Sequence, residues 1–167
     1  MPHLASLWIG TCVLLLAQTV QSRAVEVVRS INISAPATAV WAIVGDFCAI
    51  ARWHPQVERC ILSDSSEAQG ETATIRGLVV TGGLGTIVEI ETGRDEKGMS
   101  YSYSFISGPL PVKAYNATIA VRPNGVNATV VWSATFDAVG MSEAEAKADI
   151  EGVYDQGLAA IALEASR

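Results

Sequence analysis

Apolar and polar residues alternate with a period of two through most of this chain and switch to helical spacing in three places. Residues 25–34 put Val27, Ile31 and Ile33 on one face and Ser30 and Asn32 on the other, the pattern of a half-buried strand. Pro36 then opens a short helix through Val44 whose apolar stripe is Val40, Trp41 and Val44. A second helical stretch covers residues 48–53 and ends at His54-Pro55, because a residue before proline is pushed out of helical conformation. Strand-like runs follow at 57–62, 72–80, 86–91, 99–106, 114–121 and 126–136. Turn signals separate them, chiefly Gly82-Gly83, Gly108-Pro109-Leu110-Pro111 and Pro123-Asn124-Gly125.

The last segment opens with Ser142 and Glu145 in capping-box spacing. Ile150, Val153, Tyr154, Gly157, Leu158 and Ile161 then recur at the spacing of one long amphipathic helix. This order predicts an α+β architecture: a seven-stranded curved antiparallel sheet wrapped around the C-terminal helix, with two short helices after the first strand. A sheet that curls in this way leaves a ligand-sized space between its concave face and the helix.

Ahead of this domain, residues 7–20 are almost all apolar, and no charged side chain occurs before Arg23. The run is shorter than the roughly 20 residues of a membrane span, and small residues at Ser22 and Ala24 suit a cleavage site. The expected organisation is a signal peptide over 1–24 and a ligand-binding domain over 25–167. The protein is then exported, periplasmic in a bacterium or secreted in a eukaryote, with no stable membrane span. Cys12 leaves with the signal. Cys48 and Cys60 are read as free buried thiols in preference to a bridge, because spacing alone does not establish bridging geometry. Asn32, Asn116 and Asn127 lie in sequons that either accept glycans or simply populate polar strand faces.

The composition removes several functional classes. With a net charge of −6 and no basic cluster interleaved with aromatics, nucleic acid is not an expected partner. Only His3 and His54 are available as imidazole ligands and no paired-cysteine motif occurs, so neither a metal nor any other cofactor is expected.

Hairpin arithmetic locates the candidate chemistry. If Gly82-Gly83 forms a two-residue turn, facing residues have numbers that sum to 165, and Arg76 lies opposite Glu89. On the next strand Tyr101, Tyr103 and Phe105 share the inward side. The Asn124-Gly125 turn places Tyr115 opposite Ala134 and next to Trp132. Arg76, Glu89 and Tyr115 are therefore candidate catalytic groups: a cation for a polarised oxygen, a proton carrier and a hydroxyl donor. Trp53, Tyr101, Tyr103, Phe105 and Trp132, with Val153 and Gly157 from the helix, make up the expected ligand-binding set. The same pattern fits a second reading, in which Arg76 and Glu89 form a buried pair that fixes sheet register among packed aromatics. His54 is expected at a loop on the pocket rim.

The stretches AVWAIVGDFCAIARWHPQVERC, IRGLVVTGG, MSYSYSFISGPLPVKAYNATIAV and VVWSATF, with the final helix, resemble the polyketide cyclase/START-like SRPBCC superfamily. The nearest branch is similar to bacterial polyketide cyclase/dehydrase or methanol-oxidation accessory proteins. The resemblance implies a helix-grip fold that binds lipids, hormones or polyketides and in some members catalyses. Residues 80–85 and 107–111 resemble in position the gate and latch loops of plant abscisic-acid receptors, although Glu58 stands where those receptors carry a lysine. A further likeness is to enzymes of the lachrymatory factor synthase type, through MSYSY at 99–103 and through Arg76, Glu89, Tyr115, Trp132 and Tyr103. It implies cofactor-independent cyclase, dehydratase or isomerase chemistry on a small hydrophobic, polar-headed molecule. The alternative is an exported carrier, or an accessory protein acting on a partner enzyme or as a homodimer.

Overall fold

A computed structural model describes residues 24–66 and 72–167. The expected signal peptide lies outside the described residues, and no described helix is long and apolar enough to cross a membrane. The elements follow the expected order. β1 (Val25–Ile33) leads into α1 (Ala37–Val44) and α2 (Ile50–Trp53). β2 (Val57–Ser66), β3 (Thr72–Val80), β4 (Gly85–Asp95) and β5 (Ser100–Ser107) form the first wing of the sheet. β6 (Val112–Asn124) and β7 (Asn127–Ala138) complete it before α3 (Glu143–Glu164). The sheet has seven antiparallel strands in the order β1-β7-β6-β5-β4-β3-β2, so the chain's first strand closes beside its last.

The curl of the sheet has local causes. Register shifts interrupt the β2–β3, β4–β5 and β6–β7 ladders, at Val57/Arg59, Val88/Glu89, Glu91/Gly93 and Lys113/Asn116. Each shift bends its strand and increases its twist. The shift in β6 is built on Ala114, a non-glycine residue at φ 50°, and lets Val112 and Tyr115, three residues apart, both face the interior.

α3 packs against the β1 and β7 side of the sheet and buries Ala146, Ile150, Tyr154, Gly157, Leu158 and Ile161. Its start is the expected capping box: Ser142 Oγ accepts from the Glu145 backbone N–H, and Glu145 accepts from Ser142 N–H at 2.9 Å. Arg29 of β1 donates through Nε and Nη2 to both oxygens of Asp155, each at 2.7 Å, on the exposed side of the contact between helix and sheet. The β3–β4 wing curls away from α3 and leaves a space beneath it.

Two turns differ from expectation in ways that matter for register. β3 and β4 pair with Arg76 opposite Glu89, as the sum of 165 requires. The connection is nevertheless four residues, Thr81 to Leu84, with a 3₁₀ turn in which Gly82 and Gly83 take φ of 73° and 72°. A four-residue loop centred at the same point keeps the same sum. In β6–β7 the turn residues are Gly125 and Val126, and Asn124 pairs with Asn127. The pairing slides by two residues, so Trp132 faces Ile119, and Tyr115 is not opposite Ala134. A slide of two leaves every side chain on its expected face.

The expectation of free thiols is corrected. Cys48 and Cys60 form a disulfide with their Cα atoms 5.5 Å apart. The start of β2 runs back alongside the residues that precede α2, which brings two cysteines twelve positions apart into bridging range. Reduction, or the double substitution Cys48→Ser/Cys60→Ser, should lower stability by about 2–4 kcal/mol. Thermal melts with and without a non-thiol reductant measure this, and identical melts would show that the bridge adds nothing.

Candidate functional site

The space under the β3–β4 wing is a cavity of about 380 Å³, within the roughly 300–1,000 Å³ of small-molecule sites. Leu78, Val80 and Ile87 form its sheet wall, and Ile50, Ile150 and Val153 form its helical wall. Tyr103, Tyr115, Tyr154 and Trp132 line its inner end. Leu84, Pro109 and Leu110 stand at the end where the β3–β4 and β5–β6 loops meet. Those loops fall at the positions marked by their likeness to gate and latch segments. Gly108, at φ 145°, lies so close to β4 that a Cβ there would come within 2.8 Å of Ile87 Cα. Only glycine lets the β5–β6 loop settle onto the cavity rim.

The inner end is a hydrogen-bonded aromatic cluster. Trp132 Nε1 donates to the Tyr103 hydroxyl at 2.8 Å, and the Tyr115 and Tyr154 hydroxyls share a hydrogen at 2.5 Å. Tyr154 stacks on Trp132 with ring centroids 4.2 Å apart. Burial pushes all three phenols well above the usual tyrosine value. Each also feels a neighbouring phenol of the cluster and the Glu89 carboxylate, so all three stay protonated at neutral pH.

His54 closes one side of the cavity with both nitrogens engaged. Nε2 lies 3.1 Å from the Val153 carbonyl and Nδ1 accepts from the Gln56 backbone N–H at 3.2 Å, which fixes the neutral tautomer with hydrogen on Nε2. Burial lowers its pKa; the bond to Val153 opposes this and the charge of Arg76 adds to it. Gly157 makes this packing possible, since a Cβ there would meet Trp132 Cζ3 at 2.7 Å and His54 Cδ2 at 2.8 Å.

Of the residues expected from sequence, Tyr103, Tyr115, Trp132 and Val153 border the cavity. Arg76 and Glu89 do not. Arg76 Nε donates to Glu89 Oε2 at 2.7 Å, and Nη1 donates to the Phe47 carbonyl at 2.5 Å. The guanidinium lies 4.1 Å from the Phe47 ring centroid and 4.7 Å from that of Tyr103, with only 1% of the residue exposed. Burial pulls its pKa down, but Glu89 and the tyrosines outweigh this and hold it charged. Tyr101 packs edge-on against Phe47 at 5.6 Å, on the same side as the buried pair. Phe105, half-buried, pairs with Glu89 across β4–β5. Trp53 sits behind the cavity wall, 5.8 Å from Trp132, and its Nε1 is buried without a hydrogen-bond partner among the described residues.

The residue that sequence reasoning left out is Tyr154, which was assigned to the apolar stripe of α3. Its signal was a hydroxyl on a buried helix face, which must find a partner. Among the described residues no group of three or more metal-ligating side chains occurs, and the apolar lining offers no donor set for a metal or a charged cofactor.

A seven-stranded sheet gripping one long helix around an apolar cavity defines the START-like class of small-molecule folds. Residues 24–165 match the family described as polyketide cyclase / dehydrase and lipid transport, and the chain belongs to that family. A Thermobifida fusca protein solved by NMR is 35% identical, covering 86% of this chain and 94% of that one, with a TM-score of 0.72. XoxI from Bacillus cereus is 28% identical over 83% of this chain and 94% of its own, also at 0.72. The Zhui aromatase/cyclase from Streptomyces sp. R1128, at 19% identity, 87% and 95% coverage and a TM-score of 0.68, shares the fold. No functionally curated protein matches the chain.

Two expectations follow for the site. Glu89→Gln leaves Arg76 buried without an anion and should cost about 3–5 kcal/mol in chemical denaturation; a cost below about 1 kcal/mol would mean that the pair is dispensable. His54 binds a proton in the unfolded chain near about pH 6.5, but in the folded chain only at lower pH. Its contribution is therefore complete above that value and is lost as pH falls through the lowered folded pKa. Melts from about pH 7.5 down to about pH 5 should fall more steeply for the native protein than for His54→Asn. Equal falls would remove His54 as the cause.

Proposed function

We propose that this protein binds a small, uncharged, largely apolar molecule in the cavity between the concave sheet face and α3. The observation that carries the reading is a 380 Å³ apolar cavity with no Asp, Glu, Lys or Arg among the described residues that line it. A charged ligand would lose its hydration there without a counter-ion, at a cost of several kcal/mol.

Binding is favoured over acid–base catalysis because Arg76 and Glu89 are committed to each other and to Phe47, away from the lining. The aromatase/cyclase activity of the Streptomyces relative is a property of a distant sequence on the same fold. Export belongs to the same reading. It is supported by the apolar run at residues 7–20 and by the Cys48–Cys60 disulfide, a bond that persists in oxidising compartments. An exported carrier or scavenger of a hydrophobic metabolite fits these features together.

Titration with the neutral fluorophore N-phenyl-1-naphthylamine tests the cavity directly. Saturable binding with enhanced emission is expected in the native protein. Val153→Trp, which puts an indole into the helical wall, should weaken it at least about tenfold with the circular dichroism unchanged. Unaltered binding by Val153→Trp would place the fluorophore elsewhere and overturn the reading.

A further inference from the structure

The polar groups at the two ends of the cavity differ in what they have left to offer a ligand. At the inner end lie the indole N–H of Trp132 and the hydroxyls of Tyr103, Tyr115 and Tyr154, on residues no more than 4% exposed. Tyr115 and Tyr154 are bonded directly, and the Tyr103 hydroxyl interacts with both. With every pair of the three in contact, each phenol donates to the next around a closed ring. Trp132 adds its hydrogen to Tyr103, whose oxygen has two lone pairs and accepts both. All four polar hydrogens are thus placed inside the cluster, and a ligand oxygen arriving there finds no free donor.

The mouth is different. Thr81 opens the β3–β4 loop, and its backbone N–H donates to the Gln56 carbonyl at 3.0 Å, so the two residues stand side by side in the lining. Both are half-buried, between the enclosed tyrosines and the exposed Leu84. Among the described residues the Thr81 hydroxyl is without a hydrogen-bond partner. The Gln56 amide makes one long bond, from Nε2 to Gln156 Oε1 at 3.4 Å. A neutral hydroxyl and a primary amide therefore face the mouth with donors and acceptors available. His54 adds nothing to either end, because both of its nitrogens are engaged.

We infer that the cavity takes its ligand apolar end first. The occupant is an uncharged amphiphile whose hydrocarbon end packs against the Tyr103–Tyr115–Tyr154 cluster. Its polar group, such as a ketone or ester, stays at the mouth beside Thr81 and Gln56. The inference rests on the reading of the cavity as a binding site and adds the chemical class and orientation of its occupant. The tyrosine cluster behaves as an apolar floor despite its hydroxyls, since a carbonyl pushed against it leaves water and gains no free hydrogen. A second carbonyl at the buried end is therefore disfavoured.

Three para-disubstituted benzenes of similar shape test this in competition with N-phenyl-1-naphthylamine: 1,4-diisopropylbenzene, 4-isopropylacetophenone and 1,4-diacetylbenzene. The diketone should bind at least about tenfold more weakly than the monoketone, because its second carbonyl is buried without a donor. In the double variant Thr81→Val/Gln56→Leu the monoketone should weaken about five- to tenfold while the hydrocarbon is unaffected, the loss of hydrogen bonding at the head alone. Nuclear Overhauser contacts report the orientation in the native protein. The acetyl methyl of bound 4-isopropylacetophenone should contact Thr81, and its isopropyl methyls should contact the Tyr115 and Trp132 rings. Acetyl contacts to Tyr103 and Tyr115 in place of Thr81, or a monoketone affinity unchanged in the double variant, would overturn the orientation while leaving the cavity reading intact. Failure of all three compounds to displace the fluorophore would overturn the cavity reading itself.

Discussion

The pair formed by Arg76 and Glu89 is the constraint on which the rest of this structure hangs. A guanidinium and a carboxylate removed from water are costly unless each finds partners. Here the cation meets Glu89 across the β3–β4 ladder, the Phe47 carbonyl from the α1–α2 connection, and the faces of Phe47 and Tyr103. That set of partners fixes three things together: the register of the hairpin, the position of the segment leading into α2, and the depth of β5. The cavity occupies what remains of the concave face once this assembly is in place. Its apolar character follows, because the charges of that face are already paired with each other.

The helical side is fixed by a different kind of contact. Gly157 gives the Trp132 and His54 rings direct access to the α3 backbone, and Tyr154 stacks on the same indole. A neutral imidazole with both nitrogens occupied then joins the α2–β2 connection to the helix. Polar groups near the cavity are thus largely consumed by structural bonds.

Much of this was legible in the chain. The α+β class, the element order, the capping box and the pairing of Arg76 with Glu89 all follow from period-two and helical patterns combined with turn chemistry. Even the β6–β7 hairpin, whose register slid by two, kept Tyr115 and Trp132 on the expected face, because face depends on parity alone. Depth was not legible. Arg76 and Tyr103 share a face, yet Phe47 covers one and the cavity opens onto the other. That difference arises from a tertiary contact between segments far apart in sequence, on which strand periodicity is silent. The disulfide was missed for the same reason, since the approach of Cys48 to Cys60 depends on how α2 turns back onto β2.

The bridge closes a ring, from Cys48 to Cys60, that carries Ile50, His54, Gln56 and Val57, all of which line the cavity. Its ends are tied to each other covalently, and Phe47, one residue before it, is held by Arg76. A stretch anchored at both ends behaves as a cassette. Ile50 and Gln56 can change while the attachment points and His54 stay in place, so a different preference for ligand shape can arise there with the sheet and α3 unaltered.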